Sequence, residues 1–293
     1  MERPGYLSAW WLAIRPKTLT AVIAPVLIGQ WLAYAYDAQA FDTTVSLVIF
    51  CCAICLQIGV NLANDVFDFI HGVDGEHRLG PARAAQQGWL TQQQLMVATG
   101  VVLGVAALLG IFLVIQGGWL FLGLGGLSLL AALAYSAGPF PLSAHALGEV
   151  TVFLFFGLLA VCGGYYLQVG HLSGMAWQAG VMMGLLTAAI MLVNNLRDYA
   201  SDQQAGKKTL VMMTGERVAR FVYSAMMIVP TIWLLQQTQL LQQSWLGWVG
   251  MLCAVGLSVA VFRWRGAQLN ILLARSAAFC LVYALLFVAG HLL

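Results

Sequence analysis

The stretch that decides the fold runs from Val45 to Asp74 and reads VSLVIFCCAICLQIGVNLANDVFDFIHGVD. Its first part, 45–66, is predominantly apolar and is long enough to cross a bilayer, which takes about 20 apolar residues in a helix. Amide and acidic side chains then follow at the end of this run and just beyond it. The stretch therefore predicts a membrane helix that carries a polar cluster at one end.

The composition of the whole chain agrees with a membrane protein. Hydrophobic residues make up 61% of the sequence and charged residues only 8%, against roughly 25% charged residues in soluble domains. Because lipid offers no hydrogen-bond partners to the backbone, such runs must be helices. We expect an all-α integral membrane protein, a single domain over residues 1–293, with nine transmembrane helices. The predicted helices are 18–36, 45–66, 95–115, 119–137, 147–167, 175–195, 218–236, 245–262 and 271–290.

The positive charges predict the orientation of these helices. With nine spans, every Lys and Arg falls in the N-terminal segment, or in or beside the connections after helices 2, 6 and 8. Since positively charged loops stay in the cytoplasm, we expect a plasma (inner) membrane protein with a cytoplasmic N-terminus and an external C-terminus. The two long connections, 67–94 and 196–217, are then cytoplasmic. The positively charged residues are Arg3, Arg15, Lys17, Arg78, Arg83, Arg197, Lys207, Lys208, Arg217, Arg220, Arg263, Arg265 and Arg275.

Two acidic clusters lie at the cytoplasmic ends of predicted helices 2 and 6. In the first, the spacing i, i+3, i+4 and i+7 places four side chains on one helix face: Asn61, Asn64, Asp65 and Asp68. Asp74 follows in the connection. In the second, the spacing i, i+3 and i+7 does the same for Asn195, Asp198 and Asp202.

Carboxylates at the end of a membrane helix are costly unless they are paired, solvated or bound to a cation. Oxygen ligands of this kind suit Mg²⁺, which commonly binds one or two carboxylates together with substrate phosphate oxygens. Basic residues that can contact phosphate lie beside both clusters: Arg78, Arg83, Arg197, Lys207 and Lys208. We therefore expect a diphosphate to be held between two helices that bind magnesium.

The motifs resemble those of a known family. An NDxxD motif after helix 2 (64–68) and a DxxxD motif after helix 6 (198–202), in a membrane protein of nine helices, resemble the UbiA superfamily of aromatic prenyltransferases. The resemblance extends over essentially the whole chain. Further segments are similar to the branch that prenylates 1,4-dihydroxy-2-naphthoate in menaquinone biosynthesis, and so is the spacing of Asp74, six residues after Asp68 instead of four. These segments are RPKTL (15–19), GPAR (80–83), YSAGPFPL (135–142), LGEV (147–150), GGYYLQ (163–168) and NNLRDYASDQQAGKKTL (194–210).

The resemblance implies a reaction and its reactants. A polyprenyl diphosphate ionises, the naphthoate ring attacks the allylic cation, and the ring carboxylate leaves as CO₂ to give demethylmenaquinol. The expected cofactor is Mg²⁺, and the expected partners are polyprenyl diphosphate, an aromatic acid and membrane lipids, with no nucleic acid.

The resemblance also implies roles for individual residues. The implied magnesium ligands are Asp65, Asp68, Asp198, Asp202 and Asn64. The implied diphosphate contacts are Asn61, Asn195, Arg78, Arg83, Arg197 and Lys207, with Lys208 as the alternative to Lys207. Tyr135 and Tyr165 are expected to stabilise the allylic cation with their ring faces, or else to belong to an interfacial aromatic belt. Glu149 either orients the naphthoate or makes a local hydrogen bond.

Two alternatives stay open at this point. A related enzyme of the same superfamily would use another acceptor, such as 4-hydroxybenzoate, a haem or a chlorophyllide. A protein of a different class, a cation- or proton-coupled transporter, would also place acids in membrane helices. The acids here cluster at one membrane face, whereas transporter sites lie near the midplane, which favours the enzyme.

Overall fold

The structure is a computed structural model that describes residues 4–72 and 79–293, and within these residues the regular secondary structure is helical. Twelve helices follow one another, and 3₁₀ turns precede α6 and α12. The helices are α1 (Tyr6–Ile14), α2 (Pro16–Tyr36), α3 (Thr43–Ile70), α4 (Gln92–Gly117), α5 (Trp119–Ala134), α6 (Gly148–Val169), α7 (Gly174–Arg197), α8 (Tyr199–Gln204), α9 (Leu210–Thr214), α10 (Glu216–Leu240), α11 (Ser244–Arg263) and α12 (Leu269–Leu292).

Eight helices of the described chain are long and apolar enough to cross a membrane: α2, α3, α4, α6, α7, α10, α11 and α12. This confirms the all-α membrane class. The run predicted at 119–137 is the apolar helix α5, which has 16 residues and so extends only about 24 Å at 1.5 Å per residue. The described residues therefore contain eight candidate spans, and the count of nine stays a prediction.

The first acidic cluster lies inside a helix. Helix α3 continues to Ile70, four residues beyond the predicted end at 66, because the polar residues that follow the apolar run still keep helical spacing. The long connection after it is correspondingly shorter. The second long connection, predicted at 196–217, contains the short helices α8 and α9.

A short helix that the sequence pattern did not predict, α1, precedes the first span. Arg15 separates α1 from α2 with a left-handed backbone (φ +56°), and Pro16 then begins α2 at a position where its missing N–H costs nothing. The chain therefore turns sharply at Arg15. Helix α1 buries Ala9 and Ala13 against α3 and the segment 84–90, and it leaves Tyr6, Leu7 and Trp11 exposed.

Helix α7 lies at the centre of the bundle. Its apolar residues Met183, Leu186 and Leu192 are fully buried in a core shared with α2, α10 and α12. Against α6 the packing is especially close, since a Cβ on Gly157 would lie 2.4 Å from the Cα of Gly184. Small residues allow such close approach of membrane helices. The middle of α6, Phe153–Gly163, is a π-helix, a local geometry that is frequent near functional sites.

Candidate active site

A cavity of about 570 Å³ opens between helices α2 to α7. Its inner part is apolar and includes Val26, Ile49, Leu113, Phe121 and Leu167. Its other end is polar, because the last turns of α3 and α7 both reach it. The polar residues of the lining include Arg15, Thr18, Gln57, Asn61, Asn64, Asp68, Arg83, Tyr135, Ser136, Ser143, Asn194, Asn195, Asp198, Ser201, Asp202 and Lys207. The cavity thus has a charged mouth and an apolar interior.

Three residues of the first cluster line the cavity as predicted: Asn61, Asn64 and Asp68. The Asp68 carboxylate is paired with the guanidinium of Arg83, and the Asn64 side-chain oxygen accepts a hydrogen bond from the Ser136 hydroxyl. The Nδ2 of Asn61 donates to the carbonyl of Ile14 at 2.8 Å and to the hydroxyl of Thr18 at 2.9 Å. Asn61 therefore also ties the α1–α2 corner to the cavity wall.

Asp65 does not reach the cavity, which corrects its place among the predicted magnesium ligands. The residue is 1% exposed, and its two carboxylate oxygens accept hydrogen bonds of 3.0 Å from the backbone N–H groups of Ala84 and Ala85. The physical reason is the helix itself, which turns each residue about 100° from the one before. The role that the structure gives Asp65 is to hold the segment that presents Arg83 to Asp68.

One of the basic residues predicted to contact diphosphate, Lys208, does not line the cavity. Arg78 and the nearby Asp74 lie outside the described residues. The side chain of Lys208 is exposed and does not line the cavity, while its backbone N–H donates to the carbonyl of Ala144 at 2.8 Å. Lys207 does line the cavity, so the structure favours Lys207 over its neighbour.

Arg197 lies behind the cavity and not in its lining, which corrects its predicted role as a diphosphate contact. Its side chain is only 3% exposed. The guanidinium grips Asp198 through Nε at 2.8 Å and Nη2 at 2.5 Å, and Nη2 also donates to the side-chain oxygen of Asn194 at 2.8 Å. Arg197 thus holds two lining residues in place.

The carboxylates at the cavity mouth influence one another. Asp202 is buried and forms an ion pair with Lys207, with Nζ and Oδ1 3.1 Å apart. Burial raises the pKa of the Asp202 carboxyl, Lys207 opposes this shift, and the negative charges of Asp198 and Asp68 add to it. Asp68, Asp198 and Asp202, from both motifs, therefore face the same space.

Tyr135 and Asn195 line the cavity as predicted. The Tyr135 hydroxyl donates to the sulfur of Met191 at 2.8 Å. Asn195 donates from Nδ2 to Oε1 of Glu149 at 2.8 Å. Glu149 is 4% exposed and lies behind Asn195, outside the lining, and its Oε2 has no hydrogen-bond partner among the described residues.

Tyr165 is remote from the acidic clusters, which corrects its predicted place beside the allylic cation. Its ring lies 6.3 Å from the ring of Tyr36 and 6.4 Å from that of His171. Glu149 lies in the first turn of α6 and Tyr165 near its other end, with the π-helical segment Phe153–Gly163 between them. A tyrosine at that end of the helix cannot contact a diphosphate held by the motifs.

Several polar lining residues were absent from the predicted site, among them Arg15, Ser136 and Asn194. Asn194 could have been found, because it lies four residues before Asp198 and so shares its helix face. Ser136 follows Tyr135 directly and gave no separate signal. Arg15 lines the cavity and has a left-handed backbone conformation. The sequence pattern did not predict this conformation.

The oxygen donors at the mouth fit a shared magnesium ion better than a closed protein cage. In the described part of the chain, no group of three or more His, Cys, Asp or Glu residues is arranged to hold a metal ion. Asn64, Asp68, Asp198 and Asp202 nevertheless present amide and carboxylate oxygens to one space. Mg²⁺ typically takes one or two carboxylates and completes its shell with phosphate oxygens and water. The donor set is therefore suited to Mg²⁺ that arrives with a diphosphate.

Comparisons with known proteins agree with this geometry. A profile of the UbiA prenyltransferase family matches residues 22–288. The chain is 36% identical over 253 residues to 1,4-dihydroxy-2-naphthoate octaprenyltransferase of Escherichia coli (strain K12), covering 84% of this chain and 82% of the relative. It is 32% identical over 297 residues to the protein of the same name from Haemophilus influenzae, covering 98% and 96%.

A solved structure shares the fold. The structure of a UbiA homolog from Archaeoglobus fulgidus bound to GPP and Mg²⁺ superposes with a TM-score of 0.69 at 13% identity, covering 97% of this chain and 100% of that one. The family profile spans nearly the whole chain, and the bacterial relatives exceed 30% identity over most of their length. The chain therefore belongs to the UbiA prenyltransferase family.

Proposed function

We propose that the protein transfers a polyprenyl group from polyprenyl diphosphate to 1,4-dihydroxy-2-naphthoate, with loss of CO₂ and diphosphate, to give demethylmenaquinol. The observation that carries the proposal is a cavity that has both a charged mouth and an apolar interior, which matches a reactant with a diphosphate head and a hydrocarbon tail. The names of the bacterial relatives support this donor and acceptor.

The mouth of the cavity supplies the groups that a departing diphosphate needs. Lys207 and Arg83 are cations on its lining, and both are already paired with acids of the motifs. Asn64, Asp68, Asp198 and Asp202 would hold Mg²⁺. When bound, Mg²⁺ neutralises the negative charge that develops on the leaving group. The pairing of each cation with an acid keeps both charges in position before the substrate enters.

The interior of the cavity provides for the prenyl chain. Its apolar lining from α2 to α6 removes the chain from water and leaves the allylic carbon at the boundary with the mouth. Tyr135 lines the cavity, and its hydroxyl donates to the sulfur of Met191 on α7. An aromatic face stabilises a nearby cation, so Tyr135 is the proposed stabiliser of the allylic cation.

The acceptor is proposed to bind beside Asn195. The Asn195 amide faces the cavity and is held from behind by Glu149. An amide fixed in this way offers hydrogen bonds to the hydroxyl groups of a dihydroxynaphthoate. Asn195 is then proposed to contact the aromatic substrate, and Glu149 is proposed to hold the Asn195 side chain in position.

The active site is proposed to open toward the cytoplasm, with the N-terminus inside and the C-terminus outside an inner membrane. Support comes from charge, because the basic residues Arg83, Arg197 and Lys207 all lie at the end of the bundle where the cavity has its mouth. Positively charged ends of membrane helices remain in the cytoplasm.

The test is a turnover assay in detergent with Mg²⁺, a long polyprenyl diphosphate and 1,4-dihydroxy-2-naphthoate labelled in its carboxyl group. We expect release of labelled CO₂ and a prenylated product, both lost with EDTA and in Asp68→Ala. The matched control is Asp37→Asn, an acid outside the cavity that caps a turn through Gln39 and Ala40.

Other outcomes would redirect the proposal. Prenylation of 4-hydroxybenzoate with its carboxylate retained would keep the donor and the site but replace the acceptor. A folded protein that turns over no acceptor, and that carries an ion flux in proteoliposomes, would contradict the enzyme and favour the transporter.

A further inference from the structure

Asn270, in the first turn of α12, bridges two parts of the molecule that are distant in sequence. Its Nδ2 donates to the backbone carbonyl of Leu79 at 2.7 Å. Its Oδ1 accepts from Nη1 of Arg197 at 3.0 Å. The two ends of one planar amide are thereby both engaged, and an amide is among the few side chains that offer a donor and an acceptor in fixed relation.

The Arg197 contact leads to the second acidic motif. Arg197 donates from Nε and Nη2 to Asp198 and from Nη2 to Asn194, and both of these residues line the cavity. Its Nη1 donates to Asn270. A guanidinium is rigid and planar, so fixing one of its nitrogens fixes the direction of the others. Asn270 therefore determines the angle at which Arg197 presents Asp198 to the cavity.

The Leu79 contact leads back to the first motif. Leu79 is where the described chain resumes after α3, and only a few residues separate it from Arg83. Asp65 fixes the far end of this short stretch through Ala84 and Ala85, while Asn270 fixes its near end. The stretch that carries Arg83 toward Asp68 is thus held at both ends.

We propose that Asn270 is a positioning residue that sets the two acidic motifs in register for magnesium and diphosphate. It does not line the cavity, so it acts through Arg197 and through the segment that begins at Leu79. The proposal deepens the proposed function and rests on it for the identity of the ligand.

The experiment compares Asn270→Ala with Gln268→Ala, the removal of an exposed amide two residues away that touches only Arg265. Two quantities are measured in detergent. The first is the rise in melting temperature caused by Mg²⁺ with a non-transferable prenyl thiolodiphosphate. The second is the Mg²⁺ concentration that gives half-maximal turnover. Loss of residues that orient metal ligands commonly weakens metal binding by about 10- to 100-fold.

We expect Asn270→Ala to raise the Mg²⁺ requirement by about 10-fold or more, to reduce the ligand-induced shift, and to leave the KM for the acceptor nearly unchanged. The Gln268→Ala variant should match the wild type in the Mg²⁺ requirement, in the ligand-induced shift and in the acceptor KM, which the same turnover assay gives. A variant that melts at a lower temperature without ligand, yet keeps the full ligand-induced shift and the same Mg²⁺ requirement, would show a purely structural role and overturn the proposal.

A second variant covers the case in which Asn270→Ala does not fold. Asn270→Asp keeps an oxygen for Arg197 but places a second oxygen against the Leu79 carbonyl, so we expect a smaller rise in the Mg²⁺ requirement. An unchanged requirement in this variant would also overturn the proposal. Because the melting shift needs no acceptor, it tests Asn270 even if the wild type fails to prenylate naphthoate, which is the outcome that contradicts the proposed function.

Discussion

The carboxylate of Asp68 is paired with the guanidinium of Arg83, although the connection after α3 separates the two residues in sequence. Both side chains are largely buried and both line the cavity. Arginine beside a carboxylate can exchange one anion for another, since its planar donors match carboxylate and phosphate equally well.

The pair predicts the effect of Arg83→Lys. A lysine keeps the charge but loses the two-pronged donor geometry, so we expect the KM for polyprenyl diphosphate to rise by about 10-fold, the equivalent of ~1.4 kcal/mol. The KM for the acceptor should change little. Steady-state kinetics with each reactant varied in turn will measure both values, and an equal rise in both would argue against a diphosphate contact.

Asp65 and Asp68 are predicted to behave differently although they lie three residues apart. In Asp65→Asn, the amide NH₂ would face a backbone N–H, leaving a buried donor unsatisfied at a cost of about 1–3 kcal/mol. We expect a lower melting temperature and only a small rise in the Mg²⁺ requirement, because Asn270 still holds the segment at Leu79. In Asp68→Asn, the Mg²⁺ requirement should rise sharply. The Mg²⁺ titration of both variants decides, and the reverse pattern would restore Asp65 as a ligand.

Asp202 is predicted to be required for activity although its buried charge lowers the free energy of unfolding. Because its pKa is raised, the folded state binds a proton more tightly than the unfolded state, so its contribution to stability is lost as pH rises through the folded pKa. In EDTA at pH 8, Asp202→Asn should therefore melt above the wild type, because the buried negative charge is removed, and should be inactive. The difference should narrow as the pH is lowered. A lower melting temperature would mean that the Lys207 ion pair outweighs burial.

Glu149 is predicted to affect the acceptor alone. Glu149→Ala removes the group that holds Asn195, so we expect the KM for the naphthoate to rise by about 10-fold, in line with the loss of a hydrogen bond to a charged or buried group. The KM for polyprenyl diphosphate should stay the same. Glu216→Gln, at an exposed acid paired with Arg220, is the control. A change in the diphosphate KM instead would place Glu149 with the donor.

The contact between α6 and α7 predicts a strong effect of Gly157→Ala. The added Cβ would lie 2.4 Å from the Cα of Gly184, so the helices must separate, and overpacking of this kind typically costs about 1–3 kcal/mol. Gly123→Ala on α5 is the matched control, because its Cβ would meet nothing within 4 Å. Thermal unfolding in detergent should show a large loss for the first variant and none for the second.

Much of this architecture was predictable because lipid imposes simple rules. Apolar runs of sufficient length had to be helices, and the spacing of Asn61, Asn64 and Asp68 correctly placed them on one face toward the cavity. Asp65 shows the limit of that reasoning. A face drawn from i, i+3, i+4 and i+7 is broad, and only the partners Ala84 and Ala85 reveal that Asp65 points away.

Other features depended on contacts that spacing does not encode. Arg197 and Lys208 were chosen as cations near the second motif, but which cation faces the cavity depends on the packing of α12 and on the path of the chain after α8. Tyr165 was predicted as an aromatic residue of the site because it lies in the same helix as Glu149. Its position near the other end of that helix places it away from the acidic motifs. Helix α1 escaped prediction because it is too short to give a clear apolar run.

The corner at Arg15 couples helix α1 to the wall of the cavity. Helix α1 offers Tyr6, Leu7 and Trp11 to its surroundings, and such side chains embed in the boundary between lipid and water. Its last carbonyl, on Ile14, is held directly by Asn61 of the cavity wall. We therefore expect a change in bilayer thickness or crowding that displaces α1 to reach the cavity wall through this one peptide group.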